Sequence, residues 1–322
     1  MKLYRLLFSG IFVLLFFQLA GAGQTGGMAG SYLRMGLGAR SLALGNAATA
    51  DRANGYSFYY NPSSSALLEK RIFSLSYRFL SLDRRFNFIG FTMPVPPEAG
   101  FSLGWINTGV NDITAYNSLG EAAGSIEHSA NGAFFNFSKR FGQKISLGLS
   151  IKYLWENINE GTSQFDYSSS GWGWDFGVTY LLLKNITVAG AIRDVGSKLK
   201  ANTSNIFEFG GTTIDRFPQL YNLGLYYVTP YPWLRMAYDF GWTSARTYTH
   251  HVGLEAVYAS GSQVSRADNL ALRLGLNGSD FVAGVGMDFT LLGYTSHLDY
   301  AFVPSIIDEG SSHVFSWQFL FK

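Results

Sequence analysis

A transmembrane antiparallel β-barrel of about fourteen strands, all-β with an N-terminal plug segment ahead of it, is the fold this sequence predicts. Three observations carry that reading. Apolar residues alternate with small or polar ones over runs of about ten residues, near the ~9–11 that cross a bilayer when tilted. Aromatics stand at the ends of the apolar faces, as in Tyr153-x-Trp155, Trp172-x-Trp174, Phe240-x-Trp242 and Tyr300-x-Phe302, where interfacial girdles belong. Glycine, 37 of 322 residues, is frequent on the opposite face, where it weakens a strand unless space or curvature requires it. A soluble sandwich with one wet face shares the alternation, but its strands more often run ~5–6 residues.

The composition allows a membrane structure, with 47% hydrophobic against 14% charged residues. A net charge of +2 leaves no footprint for nucleic acid. The chain opens with Lys2 and Arg5, an apolar run from Leu6 to Leu19, and then Ala20-Gly21-Ala22. That order reads as a signal peptide over 1–22, cleaved after Ala22. The competing reading, a membrane anchor, is disfavoured because the run falls short of the ~20 residues needed to span hydrocarbon. Cysteine is absent, so disulfides, thiolate metal sites and a lipidated cysteine are excluded.

Residues 23–70 do not alternate. They are rich in small residues, with a short helix expected near 40–50 and a Tyr-Tyr-Asn-Pro turn after it. Such a segment can thread a confined space as a plug in a lumen, or hang as a periplasmic tail.

From 71 to 322 the period is two. In "KISLGLSIKYLWEN", Ile145, Leu147, Leu149, Ile151, Tyr153 and Trp155 share one face; Ser146, Gly148, Ser150, Lys152 and Glu156 share the other. The phase recurs down the chain, and charges fall on the non-apolar side. Segments are expected near 71–80, 84–94, 99–109, 131–139, 143–157, 169–182, 185–194, 217–228, 233–242, 248–259, 268–277, 280–290, 293–303 and 313–321. The long connections, 110–130, 157–168, 195–216 and 304–312, follow odd-numbered segments, whereas "VPPEAG", "KRFGQ", "LKN" and "TPYP" follow even ones. Long outside loops and short periplasmic turns are what outer-membrane barrels show. "ASGSQVSRAD", 259–268, is longer than such a turn should be. The last segment, "HVFSWQFLFK", places Phe315, Trp317, Phe319 and Phe321 toward lipid. It must pair with the first, because an open edge in hydrocarbon strands its backbone groups.

The run "YLRMGLGARSLALGNAATA" and the later "YYNPSSSALL" resemble the N-terminal signature of the PorV/PorQ family, itself similar to FadL-type outer-membrane barrels. Gly36, Gly38, Ala39, Arg40, Gly45 and Ala47 fit one block; Tyr60, Asn61 and Pro62 fit the other. Near the end, Tyr300, Ala301, Phe302, Gly310 and His313 match the family's closing pattern. Ser63 and Ser64 depart from the common Ala-Gly, and Lys322 follows the aromatic that normally ends such chains. The resemblance implies an accessory or adapter of type IX protein secretion and surface attachment in the bacterial outer membrane. Its partners would be the translocon and cargo proteins, with the closing aromatics read by barrel-assembly machinery. A FadL-like passive transporter of hydrophobic small molecules is the alternative, and a purely structural barrel a third.

No catalytic constellation stands out, so neither an enzyme nor a cofactor is expected. "GLGARS" lacks the third glycine of a dinucleotide fingerprint. His250 and His251 are adjacent, so on a strand they point to opposite faces and cannot chelate one metal simply. The lumen candidates are Arg78, Lys152, Glu156, Asp175, Arg193, Arg235, Asp239, Glu255, Arg273, Asp288 and Asp299. They form either a gate or an ordinary interior neutralised by ion pairs, and their mixed signs favour the latter. Arg40 and Asn61 would gate a channel or pin the plug, with Arg40 expected to meet Asp175, Asp239 or Asp288. Tyr116, Phe165, Tyr167, Ile206 and Phe207 are candidate loop anchors for a protein partner.

Overall fold

The computed structural model describes residues 28–52, 54–160, 166–204, 206, 208–259, 267–291, 293–304 and 310–321. The signal peptide with its cleavage point, Phe165, Phe207, Lys322 and most of "ASGSQVSRAD" lie outside the described residues. Sixteen strands are present among them: β1 Arg71–Phe79, β2 Arg85–Val95, β3 Ala99–Tyr116, β4 Ala122–Phe141, β5 Ile145–Glu160, β6 Asp166–Leu183, β7 Ile186–Val195, β8 Lys198–Asn202, β9 Thr212–Arg216, β10 Leu220–Val228, β11 Leu234–Thr243, β12 Tyr248–Ala259, β13 Ala267–Asn277, β14 Asp280–Leu291, β15 Tyr294–Pro304 and β16 Ser311–Phe321.

From β1 to β7 and from β10 to β16 consecutive strands pair antiparallel, β7 pairs with β10, and β16 returns to β1, so that fourteen strands close a ring. The seam runs through Phe73↔Phe319, Leu75↔Trp317 and Tyr77↔Phe315, and it spares the wall an unpaired edge. The final alternation therefore closes a barrel. Outside the ring, β8 and β9 form a hairpin attached to β6 through Ser169↔Ala201 and Ser170↔Lys200.

The pleat sorts the faces as the period requires. Leu103, Phe135, Trp172, Leu272 and Phe315 are exposed on the outer wall, while Ser76, Ser150, Asp175, Glu255 and Ser316 are buried inside.

Three expected loops contain strand. The segment 110–130 continues β3 to Tyr116 and starts β4 at Ala122; 157–168 extends β5 and β6; 195–216 contains the β8–β9 hairpin. These stretches lack the apolar face that marks a membrane crossing. Above the bilayer, water wets both faces, and the ladder alone holds the strand. β3 to β6 consequently run 16–20 residues, against nine in β1 and β10, so one side of the wall stands well above the other.

Candidate functional site: the plugged lumen

Residues 28–68 fill the barrel. A 3₁₀ turn, Ser31–Arg34, lies near the rim, where Tyr32 Oη donates to Asn131 O at 2.9 Å. The expected helix near 40–50 is shorter, Ala39–Ala43, and two further turns follow at Ser57–Tyr60 and Pro62–Leu67. Gly36, Gly38 and Gly45 adopt φ of +81°, +79° and +68°, a region that glycine enters at least cost. At Gly45 the need is double, because a Cβ would lie 2.2 Å from Leu276 O on the wall. Facing it, a Cβ on Gly275 would meet Gly45 N at 2.3 Å. Inward glycines of the wall thus make room for the plug backbone, which is the space the sequence pattern called for.

The Tyr-Asn-Pro block is a knot. Tyr60 Oη accepts from Leu37 N at 2.8 Å and lies 2.9 Å from Leu37 O and 3.0 Å from Asn46 Oδ1. Asn61 is fully buried; its Nδ2 donates to Thr49 O and Thr179 Oγ1, both at 2.9 Å, and its Oδ1 accepts from Ser63 N and Ser63 Oγ. Pro62 fills the first position of the following turn, where a missing N–H costs nothing. One residue therefore ties two parts of the plug to β6.

Arg40 does not meet Asp175, Asp239 or Asp288. It makes a two-pronged contact with Glu255, Nε–Oε1 2.8 Å and Nη2–Oε2 3.0 Å, and pairs with Asp51 inside the plug itself. Glu255 also receives Arg273 Nε at 2.8 Å and Arg235 Nη1 at 3.2 Å, and Arg273 reaches Asp299 at 2.7 Å. The other carboxylates are engaged elsewhere. Asp175 lies 2.7 Å from Lys152, which also pairs with Asp194. Asp239 accepts the backbone N–H of Ala48 and Thr49 at 3.0 and 2.8 Å. Asp288 is held by His297 and by Asn269 Nδ2 at 2.9 Å.

Arg78 donates to Met35 O and to Ser312 Oγ, Arg193 lies over the Tyr59 ring, and Glu156 pairs with His128. His251 faces the plug, 2.8 Å from Gly45 O, whereas His250 contacts Tyr238 on the outer face. Arg40 also lines a cavity of about 570 Å³, together with Arg235, Glu255, Arg273, Asp288 and Asp299.

A second surface of the lumen was not anticipated. Phe86 and Phe88 of β2, Ile106 of β3, Phe134 of β4 and Leu154 of β5 point inward and are buried against Tyr32, Leu33, Phe58 and Tyr59 of the plug. Ring centroids lie 6.3 Å apart for Phe58–Phe88 and 6.1 Å for Tyr59–Phe134. The available signal was adjacency: Phe88-Ile89 and Phe134-Phe135 place apolar groups on both faces of one strand. Asp51 and Asp194, the unforeseen ion-pair partners, sit in a turn and at a strand end, where periodicity carries no information.

Solved structures share the barrel fold. The toluene transporter TbuX of Ralstonia pickettii aligns over 89% of this chain and 99% of its own, with 13% identity and a TM-score of 0.60. The toluene transporter TodX of P. putida gives the same coverage and identity with a TM-score of 0.58. The chain has the FadL-type barrel fold. A Pseudomonas aeruginosa FadL homologue aligns over 85% of this chain and 95% of its own at 10% identity, with a TM-score of 0.56. At such identities the likeness concerns the fold alone. No protein-family model matches the chain, and no curated protein does.

Proposed function

We propose that this FadL-type barrel is a passive outer-membrane channel for small hydrophobic molecules, closed at rest by residues 28–68, and performs no catalysis. The observation that carries the reading is the apolar bed inside the wall. A water-filled pore has a polar interior, whereas here Phe86, Phe88, Ile106, Phe134 and Leu154 form an inner surface to which an apolar solute would partition once Tyr32, Leu33, Phe58 and Tyr59 moved aside. The names of the neighbouring transporters support it, since two of them are described as carrying toluene. The test is uptake of labelled toluene by Gram-negative cells that lack a channel of their own. Expression should give saturable uptake, and Phe88→Asp with Phe134→Asp should lower it in barrels of unchanged gel mobility. Uptake equal to that of cells without the chain overturns the proposal.

A second reading is an adapter in type IX secretion and surface attachment. It is favoured by the motif resemblance at both chain ends and by apolar side chains held out beyond the wall, Phe209 at 95% exposed, Leu119 at 80% and Tyr116 at 68%. Co-purification of translocon components or cargo with the intact barrel, lost on Phe209→Ser with Leu119→Ser, would support it. Both readings include export by a signal peptide cleaved after Ala22, checked by sequencing the mature N-terminus. Both also include recognition of Phe315, Trp317, Phe319 and Phe321 by the assembly machinery.

A further inference from the structure

The β8–β9 hairpin presents an unusual cross-strand pair. Lys198 stands directly opposite Arg216, and Lys200 follows on the same face beside Ile214. Like charges opposed across a ladder destabilise it, and among the described residues no carboxylate pairs with any of the three cations. The alternate residues Leu199 and Ala201 are buried, so the hairpin's inner face is committed to packing and its cationic face is turned outward and exposed.

That outward face meets the lipid-facing wall. Lys198 and Lys200 line a cavity of about 420 Å³ together with Trp172 and Trp174 of β6, both exposed on the outer surface. An adjoining hollow of about 290 Å³ lies between Lys198, Arg216 and Ile214; Asp194 also lines it, buried and already paired with Lys152. β6 enters the membrane from the long-loop side, so these indoles mark the outer interface, with Phe176 and Val178 continuing the apolar face below them. Cations directly above an indole pair at that depth match a molecule whose acyl chains lie on the wall and whose anionic head projects beyond the hydrocarbon.

We propose that Lys198, Lys200 and Arg216, with Trp172 and Trp174, bind the phosphomonoester headgroup of an outer-leaflet lipid. A phosphomonoester carries more than one negative charge and three acceptor oxygens, so a single group neutralises the opposed Lys198 and Arg216 and takes Arg216 in two-pronged contact. The site is independent of what passes through the lumen, because its residues face away from the plug.

The experiment titrates the purified full-length barrel, in neutral detergent, with micelle-dispersed phosphatidic acid, using phosphatidylcholine as comparison and native mass spectrometry to count bound lipid. The wild type should hold phosphatidic acid in preference to phosphatidylcholine. K198Q/K200Q/R216Q should weaken that binding on the order of a hundredfold with unchanged gel mobility, and W172A/W174A should weaken both lipids. Equal binding by the triple variant overturns the proposal. So does displacement of the lipid by equimolar inorganic phosphate, which would mark a site for the free anion.

Discussion

On the β2–β5 side of the lumen the plug rests on aromatic and aliphatic side chains, whereas toward β12, β13 and β15 it is held through Arg40 by guanidinium–carboxylate pairs. The two contacts fail differently. Apolar packing is non-directional, so a displaced ring finds another apolar surface and loses free energy gradually. A buried ion pair has one good geometry, and parting it leaves two charges without partners. The difference makes the charged side the anchor and the aromatic side the one that gives way, which is what the proposed channel for apolar solutes requires.

The largest expected effect comes from removing the wall on which both sides stand. Deletion of residues 313–322 opens the β1–β16 seam, and no heat-modifiable barrel should reach the membrane fraction. Next, Glu255→Ala removes the carboxylate that Arg40, Arg273 and Arg235 share, leaving Arg40 only Asp51 inside the plug and Arg273 only Asp299 on the wall, so that no ion pair links Arg40 to the wall; a loss of about 3 kcal/mol in denaturant unfolding is expected, with raised single-channel conductance as the plug loosens. Arg40→Glu should act in the same direction, and unchanged stability together with unchanged conductance would remove the anchor from the comparison. Phe134→Ala excavates the aromatic bed at a cost of about 3 kcal/mol, but conductance should stay low because the ion pairs still hold. The smallest change, Tyr60→Phe, removes one hydroxyl from the Leu37 and Asn46 contacts and should cost about 1 kcal/mol in the same unfolding assay.

Much of the barrel was legible because a strand's pleat is local. Leu147, Leu149 and Ile151 must share a face whatever they pack against, and lipid selects the apolar one. Where both faces are apolar, as at Phe88-Ile89, that rule no longer says which points inward, and the aromatic bed went unseen. Where neither is apolar, as in 110–116, strand looks like loop. The left-handed turns at Gly36, Gly38 and Gly45 belong to the same local chemistry, since few other residues enter that region cheaply.

Partnership was a different matter. Sequence alone determined that charges turn inward, that glycines line the inner wall and that the last strand must meet the first, because each follows from backbone geometry and the absence of water in hydrocarbon. It also narrowed the partner of Arg40 to a carboxylate. Only the closed barrel decided that this partner is Glu255 together with Asp51, with Asp239 spent on two backbone amides and Asp175 on Lys152. Which inward charges meet depends on how far the plug descends and on the stagger between strands, and both are properties of the assembled ring.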